Sequence, residues 1–289
     1  MKKLIDYISD LRLIEGINQV EAKIAENEFL ANLTNEILDI IYDCNDIPRF
    51  IEMFAENKAM VDEVLGELSE CFLAAVFSKG FHKVHEIYEK RNISEKVLAD
   101  TMSDFDVRAD NYWKLENKAG IDNYDWMLRH LTGQLFKIGR LQYDVHTKAD
   151  HDHGGTISTG DAILNLHIPV GGKMDIEDVR QSMKDVLEFG KKYFPEYDYK
   201  AFTLGSWLLD PQLREVLPAD SNIIRFADMF TPVGSANYSH PLIYKWIFGF
   251  DKDQADWKSH DAVTALQRGA HKLLGEGRWF EDFSGIILI

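Results

Sequence analysis

The sequence predicts an α+β protein, with an all-helical first half followed by a domain built on a mixed sheet. Three observations point there. Apolar residues recur every three to five positions through the first 133 residues, and after Gly139 the period drops to two. Two alternating runs then follow one another without a helix between them, and only afterwards do strands and helices interleave, an order that fits α+β better than a doubly wound sheet. At 289 residues and 45% hydrophobic content the chain is long enough for two domains. Their expected extents are 1–133 and 134–289.

In the helical half, "EAKIAENEFLANLTNEILDIIYD" sets Ile24, Phe29, Leu33, Ile37, Ile40 and Ile41 close to one helix face. "MVDEVLGELSECFLAAVF" does the same with Val61, Val64, Leu65, Leu68, Phe72 and Val76. Ser94 is the expected N-cap of a helix carrying Val97, Leu98, Met102 and Phe105, and Asp122 the expected cap of "NYDWMLRHLTGQLF".

In the second half, "RLQYDVHT" alternates Leu141, Tyr143 and Val145 with polar residues and pairs in a long-looped hairpin with Ala162, Leu164, Leu166 and Ile168. An amphipathic helix capped by Asp175 runs from Ile176 to a stop at Pro195. "YKAFTLGSWLL" is a central strand, "DPQLREVL" and "SNIIRFADMF" are short helices, and "PLIYKWIFGF" is a strand. "DAVTALQRGAHKLLGEG" is a helix closed by Gly275, and "RWFEDFSGIILI" a last strand.

Composition narrows the function. A formal net charge of −16 repels nucleic acid and anionic membrane surfaces as general partners. The longest apolar run, residues 71–77, is far short of the roughly 18 needed to span a bilayer. The opening "MKKLIDYISD" has the charged start of a signal peptide, but Asp6 and Asp10 interrupt it, so a cytoplasmic protein is expected. Cys44 and Cys71 have neither redox nor metal spacing and read as buried thiols. His146, His151 and His153 with Asp150 and Asp152 are ligand types suited to zinc, but no HExxH or paired-cysteine spacing supports them. A solvated loop is the reading, with no metal expected.

The most informative stretch is "LNLHIPVGGKMDIEDV", residues 164–179: a strand that breaks into Pro and Gly-Gly and aims a helix start at its own end. Such a start presents unpaired N–H groups and partial positive charge, and glycines allow close backbone approach. Lys173 adds charge, while Asp175, Glu177 and Asp178 crowd the same turn. Anion binding and a plain capped turn both fit these residues.

Together, "FKIGRLQYDV", "LNLHIPVGGKMDIEDVRQSM", "SWLLDPQL" and "SNIIRF" resemble a bacterial family of GNAT-like acyltransferases, in which an all-helical N-terminal domain precedes a GNAT-like C-terminal domain. The resemblance is strongest from Trp126 to about Phe230. It implies an acyl-CoA, acetyl-CoA or another, bound where two parallel strands splay apart, with its pyrophosphate on Ile168, Val170, Gly171, Gly172, Lys173 and Met174. The usual Gln or Arg followed by Gly-x-Gly or Gly-x-Ala is replaced here by "PVGGKM".

Acyl transfer to an amine needs a base for the amine proton and an acid for the departing thiolate. His167, on the opposite strand face from Leu166 and Ile168, is the candidate base, the alternative being a histidine that holds the loop. Tyr238 is the candidate acid, and Ser206 and Trp207 are read as strand and core residues. Arg140 in "IGRLQY" has two readings, a structural ion pair, which is favoured, and a clamp on a substrate carboxylate. The function expected is acyl transfer from acyl-CoA to an amine of an unknown acceptor. The alternative is a non-catalytic ligand-binding or regulatory protein on a GNAT scaffold.

Overall fold

In the computed structural model, which describes residues 2–44, 46–150, 157–235 and 238–289, Asn27 divides the first long apolar stripe. Its extended backbone and side chain, which accepts from Leu30 N at 3.0 Å, end α1 (Leu11–Glu26) and start α2 (Glu28–Asp39). The expected single face is thereby corrected: Leu30 is buried in place of the half-buried Phe29. A short amide side chain competes with the helix for the backbone, which is why Asn prefers a cap to a helix interior. The second stripe divides too. α3 (Ile47–Leu65) stops where Gly66 turns left-handed at φ 57°, and a 3-10 turn leads into α4 (Phe72–Lys79), leaving Val64 exposed.

The unit Met1–Phe136 continues with α5 (Phe81–Lys90), α6 (Glu95–Met102), α7 (Asp104–Glu116) and α8 (Tyr124–Leu131). Ser94 caps α6 as expected. Asp122 does not cap α8. Its carboxylate lies 3.9 Å from Arg108 in a buried polar group inside the helical unit. There Asp104 accepts from Arg108 Nε (3.3 Å) and Trp126 Nε1 (3.1 Å) and faces His130 at 3.4 Å. Cys71 is buried, and a β-carbon on Gly16 would fall 2.3 Å from its sulfur, so α1 passes this spot only because residue 16 has no side chain. The side chain of Cys44 lies outside the described residues.

The unit Lys137–Ile289 holds most of the sheet. Its strands are β1 (Leu135–Ile138), which begins within the first unit, β2 (Leu141–Asp144), β3 (Ile163–His167), β4 (Ala201–Ser206), β5 (Thr231–Ser235) and β6 (Phe283–Leu288), in the order β1-β2-β3-β4-β6-β5. β2 and β3 are antiparallel as the hairpin predicts, and β3 and β4 are parallel. Between the parallel pair runs α9 (Ile176–Tyr193), capped by Asp175 and buried through Ile176, Val179, Met183 and Val186. Tyr143 Oη lies 3.0 Å from Ser182 Oγ, which fixes this helix on the apolar sheet face.

After β4 come α10 (Leu213–Val216), α11 (Asn222–Ala227), α12 (Ile243–Phe248) and α13 (Ala265–Gly275). α12 corrects the strand expected at "PLIYKWIFGF". Ile243, Tyr244 and Ile247 are buried at helical spacing, which a run apolar on all sides does not distinguish from a buried strand. Gly277, at φ 73°, provides the left-handed residue after α13 in place of the expected Gly275. β1 and β5 are strands that alternation did not reveal. Among the described residues, no helix is long and apolar enough to cross a membrane.

The buried acids of the helical unit titrate in opposite senses. Burial alone would raise Asp104, but His130 and Arg108 outweigh it and hold Asp104 below the usual range. Burial dominates at Asp122 and pushes it up to about 6 from 3.8. A carboxyl raised on folding binds its proton more tightly in the native state, so its share of stability declines as pH rises from about 4 to about 6. Asp122→Asn is expected to flatten that decline and to raise unfolding free energy at pH 7 by up to about 3 kcal/mol. Urea unfolding followed across pH 4–8 checks it.

Candidate active site

The parallel ladder between β3 and β4 runs from the Ile163–Ala201 pair to the Asn165–Thr203 pair. β3 stays with β2 as far as His167, paired with Gln142, and β4 stays with β6 as far as Ser206, paired with Phe283. The two central strands therefore part after Asn165 and Thr203 while each keeps its outer neighbour. The last tie across the pair is Thr203 Oγ1, which donates to Asn165 Oδ1 at 3.2 Å.

Strand alternation decides what faces this fork. Leu164 and Leu166 share a face with Tyr143 and Phe202, against α9. Asn165 and His167 share the other face with Gln142, Asp144 and Thr203. On that face His167 Nε2 lies 2.8 Å from Asp144 Oδ2, with Asn165 Nδ2 3.4 Å from the same oxygen and 3.2 Å from Nε2. The His167 side chain is 23% exposed and that of Asp144 10%, so an imidazole at the surface of the fork is backed by a nearly buried carboxylate. Asp144, Asn165 and Thr203 are absent from the residues singled out in the sequence. Their signal was available as polar residues two apart on neighbouring strands.

Past His167 the chain turns through the glycine loop. Ile168 and Met174 pack against the apolar cluster of Trp207, Leu213, Ile243 and Phe280, anchoring both ends of the loop. Gly171 and Gly172 between them are exposed and left-handed at φ 86° and 76°, and Lys173 is exposed. Two consecutive residues in this region are strained for anything but glycine. Arg140 straps the loop: Nε donates to Lys173 O at 3.0 Å and Nη1 to Pro169 O at 3.3 Å. Backbone carbonyls thus take the place of the expected ion pair, and no carboxylate lies within 4 Å of it among the described residues. Burial lowers its pKa from the ordinary value, with Asp178 opposing. Asp175 accepts from Glu177 N at 2.9 Å, satisfying one first-turn amide of α9.

Tyr238 follows β5, half exposed, with its ring edge-on to His240 at 6.2 Å and its carbonyl accepting from Asp282 N at 2.7 Å. These contacts tie it to the start of β6, and none of them joins it to the His167 group. Ser206 Oγ accepts from Leu208 N at 3.2 Å, and Trp207 is buried against Phe280, as a strand cap and a core residue. His146 lies 3.0 Å from Tyr197 Oη, while His151, Asp152 and His153 fall outside the described residues.

Comparison with known proteins bears on this geometry. Residues 135–287 match the GNAT-like C-terminal domain, and residues 3–133 match the N-acyltransferase N-terminal domain. The chain belongs to the GNAT-like acyltransferases. No curated protein matches it. Among solved structures, an acyltransferase in complex with decanoyl-CoA and teicoplanin is 26% identical at a TM-score of 0.69, over 77% of this chain and 68% of that one. An acyltransferase mutant in complex with octanoyl-CoA is also 26% identical at a TM-score of 0.69, over 78% and 68%. A third, in complex with CoA and 10C-teicoplanin, covers 84% of this chain and 80% of its own at 23% identity and a TM-score of 0.69, a likeness of fold alone.

The strap sets an expectation for the loop. Arg140→Ala should lower unfolding free energy by about 1–2 kcal/mol. It should also speed amide exchange at residues 170–174 more than elsewhere in the sheet domain, as hydrogen-exchange mass spectrometry would read. Unchanged exchange there would show that the loop holds its shape without the guanidinium.

Proposed function

We propose that this acyltransferase moves an acyl group from acyl-CoA to an amine, with the thioester lying in the fork between β3 and β4. The observation that carries this reading is the parting of the parallel pair beside a carboxylate-backed histidine. The nucleotide end is assigned to Ile168, Val170, Gly171, Gly172, Lys173 and Met174. A β-carbon on Gly171 would meet no atom within 4 Å, so there is open space above the loop amides. Octanoyl- and decanoyl-CoA are donors to try beside acetyl-CoA, because the solved relatives hold acyl groups of those lengths.

In the proposed reaction the amine nitrogen attacks the thioester carbonyl, the C–N bond forms and the C–S bond breaks. His167 takes the amine proton. An imidazole whose Nε2–H is held by Asp144 carries its lone pair on Nδ1, and the carboxylate stabilises the imidazolium that forms. The departing thiolate belongs to a thiol of pKa ~8.5 and asks little of an acid. That lesser part is assigned to Tyr238.

Calorimetry with CoA and acyl-CoAs is the first test. A folded protein that binds none of them at millimolar concentration removes the proposal. Transfer to a panel of amines, read by thiol release, is the second. His167→Ala should lower kcat by roughly 10²- to 10⁴-fold with CoA affinity held within about threefold, while Tyr238→Phe should lose about tenfold or less. An unaltered His167→Ala rate would favour the non-catalytic reading of the scaffold.

A further inference from the structure

Seventeen of the nineteen glycines lie among the described residues, and all but two of these have a visible reason to be glycine. Gly66, Gly120, Gly133, Gly139, Gly160, Gly171, Gly172, Gly234, Gly249 and Gly277 have positive φ. At Gly16, Gly80, Gly190, Gly269 and Gly285 a β-carbon would come within 3 Å of another side chain, whereas at Gly275 it would make an ordinary contact with Trp257 at 3.8 Å. Gly275, the last residue of α13, has only that ordinary contact, and Gly205 has not even that. Its φ lies outside the left-handed range, and a β-carbon there would find no atom within 4 Å.

The position makes this informative. Gly205 lies within β4, paired with Ser284 of β6, where glycine weakens a strand relative to almost any other residue. It shares a sheet face with Thr203 and so with the His167–Asp144 group. The parallel register sets Asn165 against Thr203; carried two residues on, it sets His167 against Gly205, just beyond the point where the strands part. The fork thus has the imidazole on one bank and a bare, exposed α-carbon on the other. Glycine within a strand with open space above it marks close approach by something outside the strand.

We propose that Gly205 is a specificity-determining position that keeps the bank opposite His167 clear for the thioester carbonyl and the first carbons of the acyl chain. This rests on the acyl-CoA reading given above and adds to it the residue that makes the room. A side chain at 205 fits the folded protein and collides with the acyl group.

The test compares the intact chain with Gly205→Ala and Gly205→Val by thermal unfolding and by calorimetry with CoA and octanoyl-CoA. Both variants should melt at or above the wild-type midpoint and bind CoA within about threefold of wild type. Octanoyl-CoA affinity should fall by about tenfold for Ala and about a hundredfold for Val, the scale of overpacking a fitted site. Wild-type affinity for octanoyl-CoA in Gly205→Val overturns the inference and leaves the acyl-CoA reading standing. A lowered midpoint with both ligands lost in the Ala and Val variants overturns it too, since the space would then serve the protein's own packing. Failure of the wild type to bind either ligand brings down the acyl-CoA reading itself, and this inference with it.

Discussion

The sheet domain depends on an unequal allegiance of two strands. β3 remains with β2 and β4 with β6 to their ends, while their mutual ladder stops at Asn165 and Thr203. Backbone N–H and C=O groups on the inner edges beyond that pair must find other partners, since unpaired buried amides are costly. The position of His167 at the edge of the gap, the direction in which the glycine loop departs and the facing of Gly205 all follow from where that ladder ends. The Thr203–Asn165 hydrogen bond sits at the vertex and joins the strand partition to the polar group that holds the imidazole.

Under the proposed acyl-CoA reading, a chain of net charge −16 has to hold an anionic nucleotide against its own overall field. Long-range attraction is absent, so the favourable field has to be local, within about one Debye length of the loop. Left-handed glycines expose main-chain amides, α9 begins directly behind them, and Arg140 brings a partly desolvated cation under the loop without spending it on a nearby carboxylate. Asp175, Glu177 and Asp178 work against this, and only Asp175 is committed to a cap. The helical unit follows the opposite design: its buried Asp104 is matched from within the unit by Arg108 and His130.

Much of the fold was legible because its signals are periodic and local. The amphipathic stripe of α9 and the alternation in β2 and β3 are set by which side of one element is buried, and Asp175, Ser94 and Ser221 announce helix starts by side-chain chemistry. β5 was hidden because its residues Thr231, Pro232, Val233 and Gly234 are all exposed and show no buried alternation. α12 was misread because an apolar run without polar punctuation fits either element. The site divides in the same way. His167 and the glycine loop are contiguous in sequence, so the break was visible. Asp144 and Thr203 join it through pairings across 23 and 38 residues, which only the sheet register reveals.

The strand order carries a consequence for synthesis on the ribosome. β6, which follows the other five described strands in the sequence, is inserted between β4 and β5. Until residues 283–288 leave the exit tunnel, β4 has a naked edge of unpaired amides beside the apolar side chains of Phe202 and Leu204. Such an edge in a nascent chain recruits foreign strands. On this side β4 is therefore covered only after the intervening residues 207–282 have been made.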